Sequence, residues 1–213
     1  MEALYVFIAT VFSYLLGSIP TSVWIGKAFY GIDIREHGSG NAGATNTFRV
    51  LGKKAGIPVF AFDVFKSFFA SKLVIFFPYL IEGTPHYVNL QLLFGISAVI
   101  GHIFPIYVGF KGGKGVASLL GLALAIAPIP ALAAFGVFIL TLLITKYVSL
   151  SSLMAGFTFP IVIIVITKTT IVSLMFFSVL FSVLLVLTHK KNIERLLRKE
   201  ENKAYLFKRT RNK

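Results

Sequence analysis

The sequence has no cysteine, a single tryptophan and only eight carboxylates, set against 21 Lys and Arg. Without cysteine there are neither disulfides nor thiolate metal sites. The four histidines are scattered and no H-E-x-x-H occurs, so no metal centre is expected. The shortage of acids also leaves a Ser-His-Asp triad poorly supplied. Charged residues are 14% of the chain and hydrophobic ones 56%, with 22 phenylalanines and a mean hydropathy of +0.84. Such a chain is too apolar for an ordinary soluble domain. The formal net charge is +13, a value that nucleic-acid binding would suit. The charges instead sit between apolar stretches and in the tail, so no nucleic-acid partner is expected.

Residues 3–24 are long enough to cross a bilayer core of about 30 Å. Only Glu2 precedes that apolar run, with no basic n-region, which predicts a retained span rather than a signal peptide. Further apolar stretches cover 56–81, 90–108, 116–145, 147–166 and 169–187. Asp63 and Lys66 intrude into the second, three residues apart and hence on one helix face. Pro128 and Pro130 are expected to divide 116–145 into two spans, the first of about 18 Å.

Cytoplasmic segments carry the excess of Lys and Arg. With seven spans and the N-terminus outside, 18 of the 21 basic residues fall on the inside, all but Lys66, Lys72 and Lys168. A six-span arrangement strands either loop 109–115 or the basic tail outside. The expectation is therefore an all-α integral membrane protein of about seven transmembrane helices. Its N-terminus would be outside, its C-terminus and glycine-rich loops cytoplasmic, and residues 1–213 one multi-pass domain with a basic tail over 189–213. No internal repeat is visible.

The chemistry gathers in the polar stretch His37-Gly-Ser-Gly-Asn-Ala-Gly-Ala-Thr-Asn-Thr-Phe-Arg49. Glycines let backbone N–H groups turn toward an anion without a Cβ in the way. Hydroxyls, amides and Arg49 supply donors that suit phosphate. Gly38-Ser-Gly40-Asn-Ala-Gly43 matches G-x-G-x-x-G, but no βαβ unit surrounds it, so a dinucleotide domain is rejected. Gly109-Phe-Lys-Gly-Gly-Lys-Gly115 resembles a P-loop with one residue too few and no Ser or Thr after Lys114, so Walker A is rejected as well. His189 and Glu194 form H-x₄-E, but on a helix they diverge by about 140° and read as coincidence. Asp63 and Lys66 are expected to support the cradle from behind, and His102 to pack there. Tail lysines and arginines read mostly as a surface for lipid headgroups.

Several blocks together resemble the bacterial acyl-phosphate:glycerol-3-phosphate acyltransferases, the PlsY family. They are Gly17-Ser-Ile-Pro20 with Lys27; 37–46 with Arg49; Gly101-His-Ile-Phe-Pro105 with Phe110-Lys-Gly-Gly-Lys-Gly-Val116; Asp63-Val-Phe-Lys66; and His189-Lys-Lys-Asn192-Ile-Glu-Arg195-Leu. Ser118 stands where threonine is common, and Lys199 replaces a frequent tail glycine. The resemblance implies a bacterial inner-membrane enzyme, without metal or cofactor, with its active site on the cytoplasmic face. It would acylate the 1-hydroxyl of glycerol 3-phosphate from acyl phosphate, among membrane lipid. Carried over, Ser39, Arg49, Lys114, His189 and Asn192 would form the catalytic set and hold phosphate. Gly38, Gly40, Gly43, Lys111, Gly112 and Gly113 would bind substrate, while Asn41, Thr45 and Asn46 line the cradle near the reacting carbonyl. Asp63, Lys66 and His102 would stand behind them. The competing reading is a membrane carrier for an organic phosphate. It is weakened because the polar blocks collect on one face instead of at the midplane.

Overall fold

The computed structural model describes residues 1–204, so the last four basic residues of the expected tail lie outside the described residues. Among the described residues all regular structure is helical, and this is a multi-pass membrane protein. Helix α1 (Glu2–Gly17) and α2 (Thr21–Tyr30) meet at a bend of 40°. Pro20 produces it, because a prolyl nitrogen cannot extend the α1 hydrogen-bond ladder. Gly31, in the left-handed region at φ 67, closes α2. A short turn, Ile34–Glu36, and the glycine loop then lead into α3 (Ala44–Leu51) and α4 (Lys53–Lys72).

Helix α5 (Pro85–Ile103) starts with Pro85 at its first position and Thr84 as N-cap, then ends before Pro105. The stretch 116–145 divides as the prolines imply, into α6 (Val116–Ile126) and α7 (Pro128–Thr145). Helix α8 (Val148–Ile161) runs on into a wider π-helical turn, Val162–Ile166. Helix α9 (Val172–Thr188) bends by 63° at His189 into the short α10 (Lys190–Leu197).

Among the described residues, three continuous helical stretches are long and apolar enough to cross a membrane: Pro85–Val108, Pro128–Thr145 and Val148–Ile166. Five qualify if each bent pair counts as one span. Helix α6 is too short by this measure, and α4 carries Asp63 and Lys66. The fold hides those two charges. They are 2% and 3% exposed, while Phe62, Phe65 and Phe69 of the same helix face outward.

The interior is accordingly lined with small and hydroxyl side chains, including Ser13, Ser67, Ser71, Ser118, Ser151 and Ser178. Small residues let helix backbones approach where no water drives them together. A Cβ on Gly17 would overlap the Ala98 backbone, and one on Gly101 would meet the Tyr14 carbonyl, which fixes the α1–α5 crossing. Gly121 lies equally close to the Val64 carbonyl, joining α6 to α4. The main apolar core fills the space among α5 to α9, where the Phe159 and Phe181 rings are 4.9 Å apart.

Candidate active site

The first glycine loop is tied around one side chain. Asn46 is 2% exposed; its Oδ1 accepts from the Ser39 N–H at 2.9 Å. Its Nδ2 donates to the Ile34 and His37 carbonyls, both at 3.0 Å. The amide thus commits an acceptor and both donors to the loop itself. Gly38 and Gly40 lie at φ 62 and 72, in the region glycine favours. Gly43 is extended at φ −140, and its carbonyl accepts from the Asn46 and Thr47 backbone N–H groups and the Thr47 hydroxyl. Any need for glycine there is spatial: a Cβ would lie 3.0 Å from Asn41 Oδ1 and 3.9 Å from the Gly113 Cα.

The second loop caps α5. The Gly112 and Gly113 N–H groups donate to the Ile103 and His102 carbonyls, each at 3.1 Å, filling acceptors that a helix end leaves open. A Cβ on Gly112 would meet the His102 carbonyl, and one on Gly113 would overlap His102 Nε2 and come within 3.1 Å of the Ala42 carbonyl. Gly113 is therefore the point where the two loops and α5 touch.

Behind it lies a buried polar chain. His102 Nδ1 is 3.4 Å from Asp63 Oδ1, and Lys66 Nζ pairs with the same oxygen at 2.9 Å. Lys66 Nζ also donates to the Ile19 carbonyl at 3.0 Å, inside the Gly17–Pro20 break, and the Thr21 hydroxyl donates to Asp63 at 3.4 Å. Three predicted supporting residues thus link α1, α2, α4 and α5 underneath the second loop.

On the other side of that loop, Lys114 Nζ donates to Asn192 Oδ1. Burial pushes the Lys114 ammonium down to about 8; Glu201 opposes the shift, and Arg195 and Arg49 add to it. His189 is 3% exposed, and burial followed by the Lys114 charge lowers its imidazole to about 4. The neighbouring Lys190 and Lys191 are not the cause. His189 Nδ1 lies 2.8 Å from the Leu185 carbonyl, which can only accept. Nδ1 therefore carries the proton, and Nε2 presents a bare lone pair.

Glu201 completes this cluster, and sequence reasoning missed it. It accepts from Asn192 Nδ2 at 2.7 Å, Ser149 Oγ at 2.9 Å and Arg195 Nε at 2.7 Å. Burial opposes its ionisation, but these donors outweigh burial and hold the carboxyl below its usual range. The available signal was scarcity: a chain with eight acids has few to place idly. Ser39, Gly40, Thr45, Arg49 and Lys111 are exposed, and Arg49 reaches Lys114 only through its charge.

The tail glycine that Lys199 replaces now has a physical explanation. Lys199 adopts φ 60, and the Lys199 and Glu200 N–H groups donate to the Leu196 and Arg195 carbonyls, closing α10 in a Schellman turn. A lysine in that conformation is strained by roughly 1–2 kcal/mol. Lys199→Gly is expected to stabilise the protein by about 0.5–1 kcal/mol, after the greater freedom of glycine in the unfolded chain is set against the relief. Thermal unfolding in detergent checks this, and an unchanged or lower midpoint would contradict it.

A family model described as glycerol-3-phosphate acyltransferase matches residues 7–199. The glycerol-3-phosphate acyltransferase of Chlorobium phaeobacteroides (strain DSM 266) is 48% identical over 154 residues, which are 70% of this chain and 66% of that protein. That of Chlorobaculum parvum is 49% identical over the same shares. The match therefore spans just under two thirds of these relatives. Two crystal structures of PlsY (YgiH), an integral membrane glycerol 3-phosphate acyltransferase, are also similar. The glycerol 3-phosphate form has a TM-score of 0.83 at 35% identity, covering 94% of this chain and 96% of that one. The lysophosphatidic acid form has a TM-score of 0.80 at 34% identity, with the same coverage. With its glycine loops meeting over a buried ion pair, and with the family model and the two PlsY structures matching nearly its whole length, this chain belongs to the glycerol-3-phosphate acyltransferase family.

Proposed function

We propose that this chain transfers a fatty acyl group from acyl phosphate to the 1-hydroxyl of glycerol 3-phosphate, giving lysophosphatidic acid and phosphate. The observation that carries the reading is the meeting of the two glycine loops at Gly113, beside a half-buried lysine and a neutral histidine. Family membership and the PlsY likeness support it. The substrate oxygen attacks the acyl carbonyl carbon, a carbon–oxygen bond forms, and the bond from that carbon to the bridging phosphate oxygen breaks. Acyl phosphate is a mixed anhydride with a good leaving group, so positioning and charge stabilisation supply much of the acceleration.

Ser39, Arg49 and Lys114 hold phosphate with the backbone of both loops, helped by Gly38, Gly40, Gly43, Lys111, Gly112 and Gly113. Asn41 and Thr45 line the cradle toward the carbonyl, whereas Asn46 shapes it from within. Asn192 orients Lys114. Asp63, Lys66 and His102 hold the second loop from behind. As the hydroxyl attacks, its proton moves along its hydrogen bond to His189 Nε2 and from there to an oxygen of the departing phosphate.

Purified protein given acyl phosphate and glycerol 3-phosphate is expected to release lysophosphatidic acid. Movement of glycerol 3-phosphate into vesicles without acylation would favour a carrier instead. For His189→Gln, turnover should fall while the ratio of wild-type to variant turnover stays constant between pH 5.5 and 7.5, because an imidazole lowered to about 4 is neutral throughout. A ratio that falls tenfold per pH unit below pH 6.5 would show an ordinary histidine.

Seven spans with the N-terminus outside place this site at the cytoplasmic leaflet of a bacterial inner membrane, with the chain acting as one domain. The observation in favour is the distribution of 18 of 21 basic residues. Single cysteines are unambiguous probes because the chain has none. Cysteine at Ser39 or Lys114 is expected to react only with reagents that cross the membrane, and labelling by an impermeant reagent from outside would sink this orientation.

A further inference from the structure

Two charged residues near the first loop have no place in the chemistry above. Asp33 precedes the turn Ile34–Glu36 and caps it, its Oδ1 accepting from the Arg35 backbone N–H at 3.0 Å. The Arg35 side chain folds back onto the same carboxylate, with Nε 3.0 Å from Oδ1 and Nη2 2.7 Å from Oδ2. Lys27 Nζ approaches Oδ2 at 3.3 Å from the end of α2. The remaining terminal nitrogen, Nη1, donates to the Val108 carbonyl at 2.9 Å, 73 residues away in sequence. Val108 ends the turn Ile106–Val108 and is followed by Gly109 at φ 69, where the second loop begins.

Arg35 therefore uses all three guanidinium nitrogens within the protein, two on Asp33 and one across the gap. The Arg35 hydrogen bond holds the Asp33 carboxyl far below the usual carboxylate range, so the fork stays charged at any working pH. Beside it, Ile34 is fully buried and its carbonyl holds Asn46, the post of the first loop. One end of the clasp is thus rigidly joined to the loop that carries Ser39. The other end lies where the loop that carries Lys114 begins. Apart from this bridge, the two loops meet where Val108 packs against the cluster of Val23, Ile34 and Ala42, and where Gly113 lies against Ala42 and Gly43, apolar and small-atom contacts with little directional strength.

We propose that Asp33 and Arg35 form a clasp that sets the spacing between the two glycine loops, acting as positioning residues for the phosphate of glycerol 3-phosphate. This rests on the acyltransferase reading of the site. Donors on separate loops can share one phosphate only at a fixed separation, and displacements well under 1 Å weaken such sharing severalfold. Lysine cannot replace Arg35, because a single ammonium cannot bridge Asp33 and Val108 as the planar fork does.

The clasp and a plain electrostatic role predict opposite things. Asp33→Asn makes the neighbourhood more positive by one charge, and Arg35→Gln makes it less positive by one. If only the field mattered, the KM for glycerol 3-phosphate would fall in the first and rise in the second. The clasp predicts a rise of about tenfold in both and in Arg35→Lys, with kcat within about threefold of wild type and Asp33→Glu less affected than Asp33→Asn.

A second readout needs no activity. Spin labels on cysteines at Glu36 and Ile106, both exposed, report the spacing directly in the full chain. A narrow distance distribution is expected in the otherwise wild-type protein, and a broadened one in Asp33→Asn and Arg35→Lys. Opposite KM shifts, an unchanged KM with unbroadened distances, or failure of every variant to fold would each overturn the proposal. A wild-type protein that acylates nothing would overturn the acyltransferase reading instead, while the distances would still test the clasp.

Discussion

Lys66→Met is expected to be among the most destabilising single substitutions in this chain. Asp63 and Lys66 are almost wholly buried, 2.9 Å apart. Methionine fills much the same space but leaves the carboxylate with only His102 and the Thr21 hydroxyl as side-chain partners. Breaking a buried pair from one side costs about 3–5 kcal/mol, far more than the pair contributes over two apolar residues of the same shape. For a chain of this size the unfolding midpoint should fall by on the order of 10 °C. Activity should fall further than stability alone explains, because Asp63 also holds His102 beneath Gly113. The double variant Asp63→Asn/Lys66→Met removes both charges and should recover most of the lost stability but not the activity. A single variant as stable as wild type would show that the pair does not carry this part of the fold.

Lys114→Met is expected to lower kcat/KM by about 10² to 10³, the range found when one preorganised donor to a developing or bound anion is lost. Stability should change little, since the ammonium is itself poorly hydrated and pushed down to about 8 by burial. The same lowering gives the wild-type enzyme a pH signature. Only the protonated amine attracts phosphate, and a lowered value means that the proton is lost earlier as pH rises. The kcat/KM for glycerol 3-phosphate should therefore decline above about pH 8, reporting the free enzyme. Lys114→Arg should abolish that limb, because a guanidinium stays charged. A limb that persists in Lys114→Arg belongs to another group.

These expectations draw on the sequence and the fold in different proportions. Apolar runs, prolines at 20 and 128, and glycines before α3 and α6 were legible because they act locally. Helix length, chain breaks and loop conformation follow from residues a few positions apart. The i,i+3 spacing of Asp63 and Lys66 was legible for the same reason. Spacing alone does not reveal which glycines of a run make the turn: Gly38 and Gly40 do, whereas Gly43 is extended and its place is set by close packing. Asn46 looked like a cradle donor, yet the loop itself takes up its amide.

What lay beyond the sequence is every pairing made across the bundle. His102 lies under Gly113, Arg35 reaches Val108, and Glu201 gathers Ser149, Asn192 and Arg195. The sequence by itself determined that this chain is a bundle of membrane helices with two glycine-basic loops, since hydrophobicity and turn chemistry are properties of short segments. Which polar side chains meet was decided only by the tertiary structure. It depends on how closely Gly17, Gly101 and Gly121 let the helices cross, and a linear order of residues does not contain those distances.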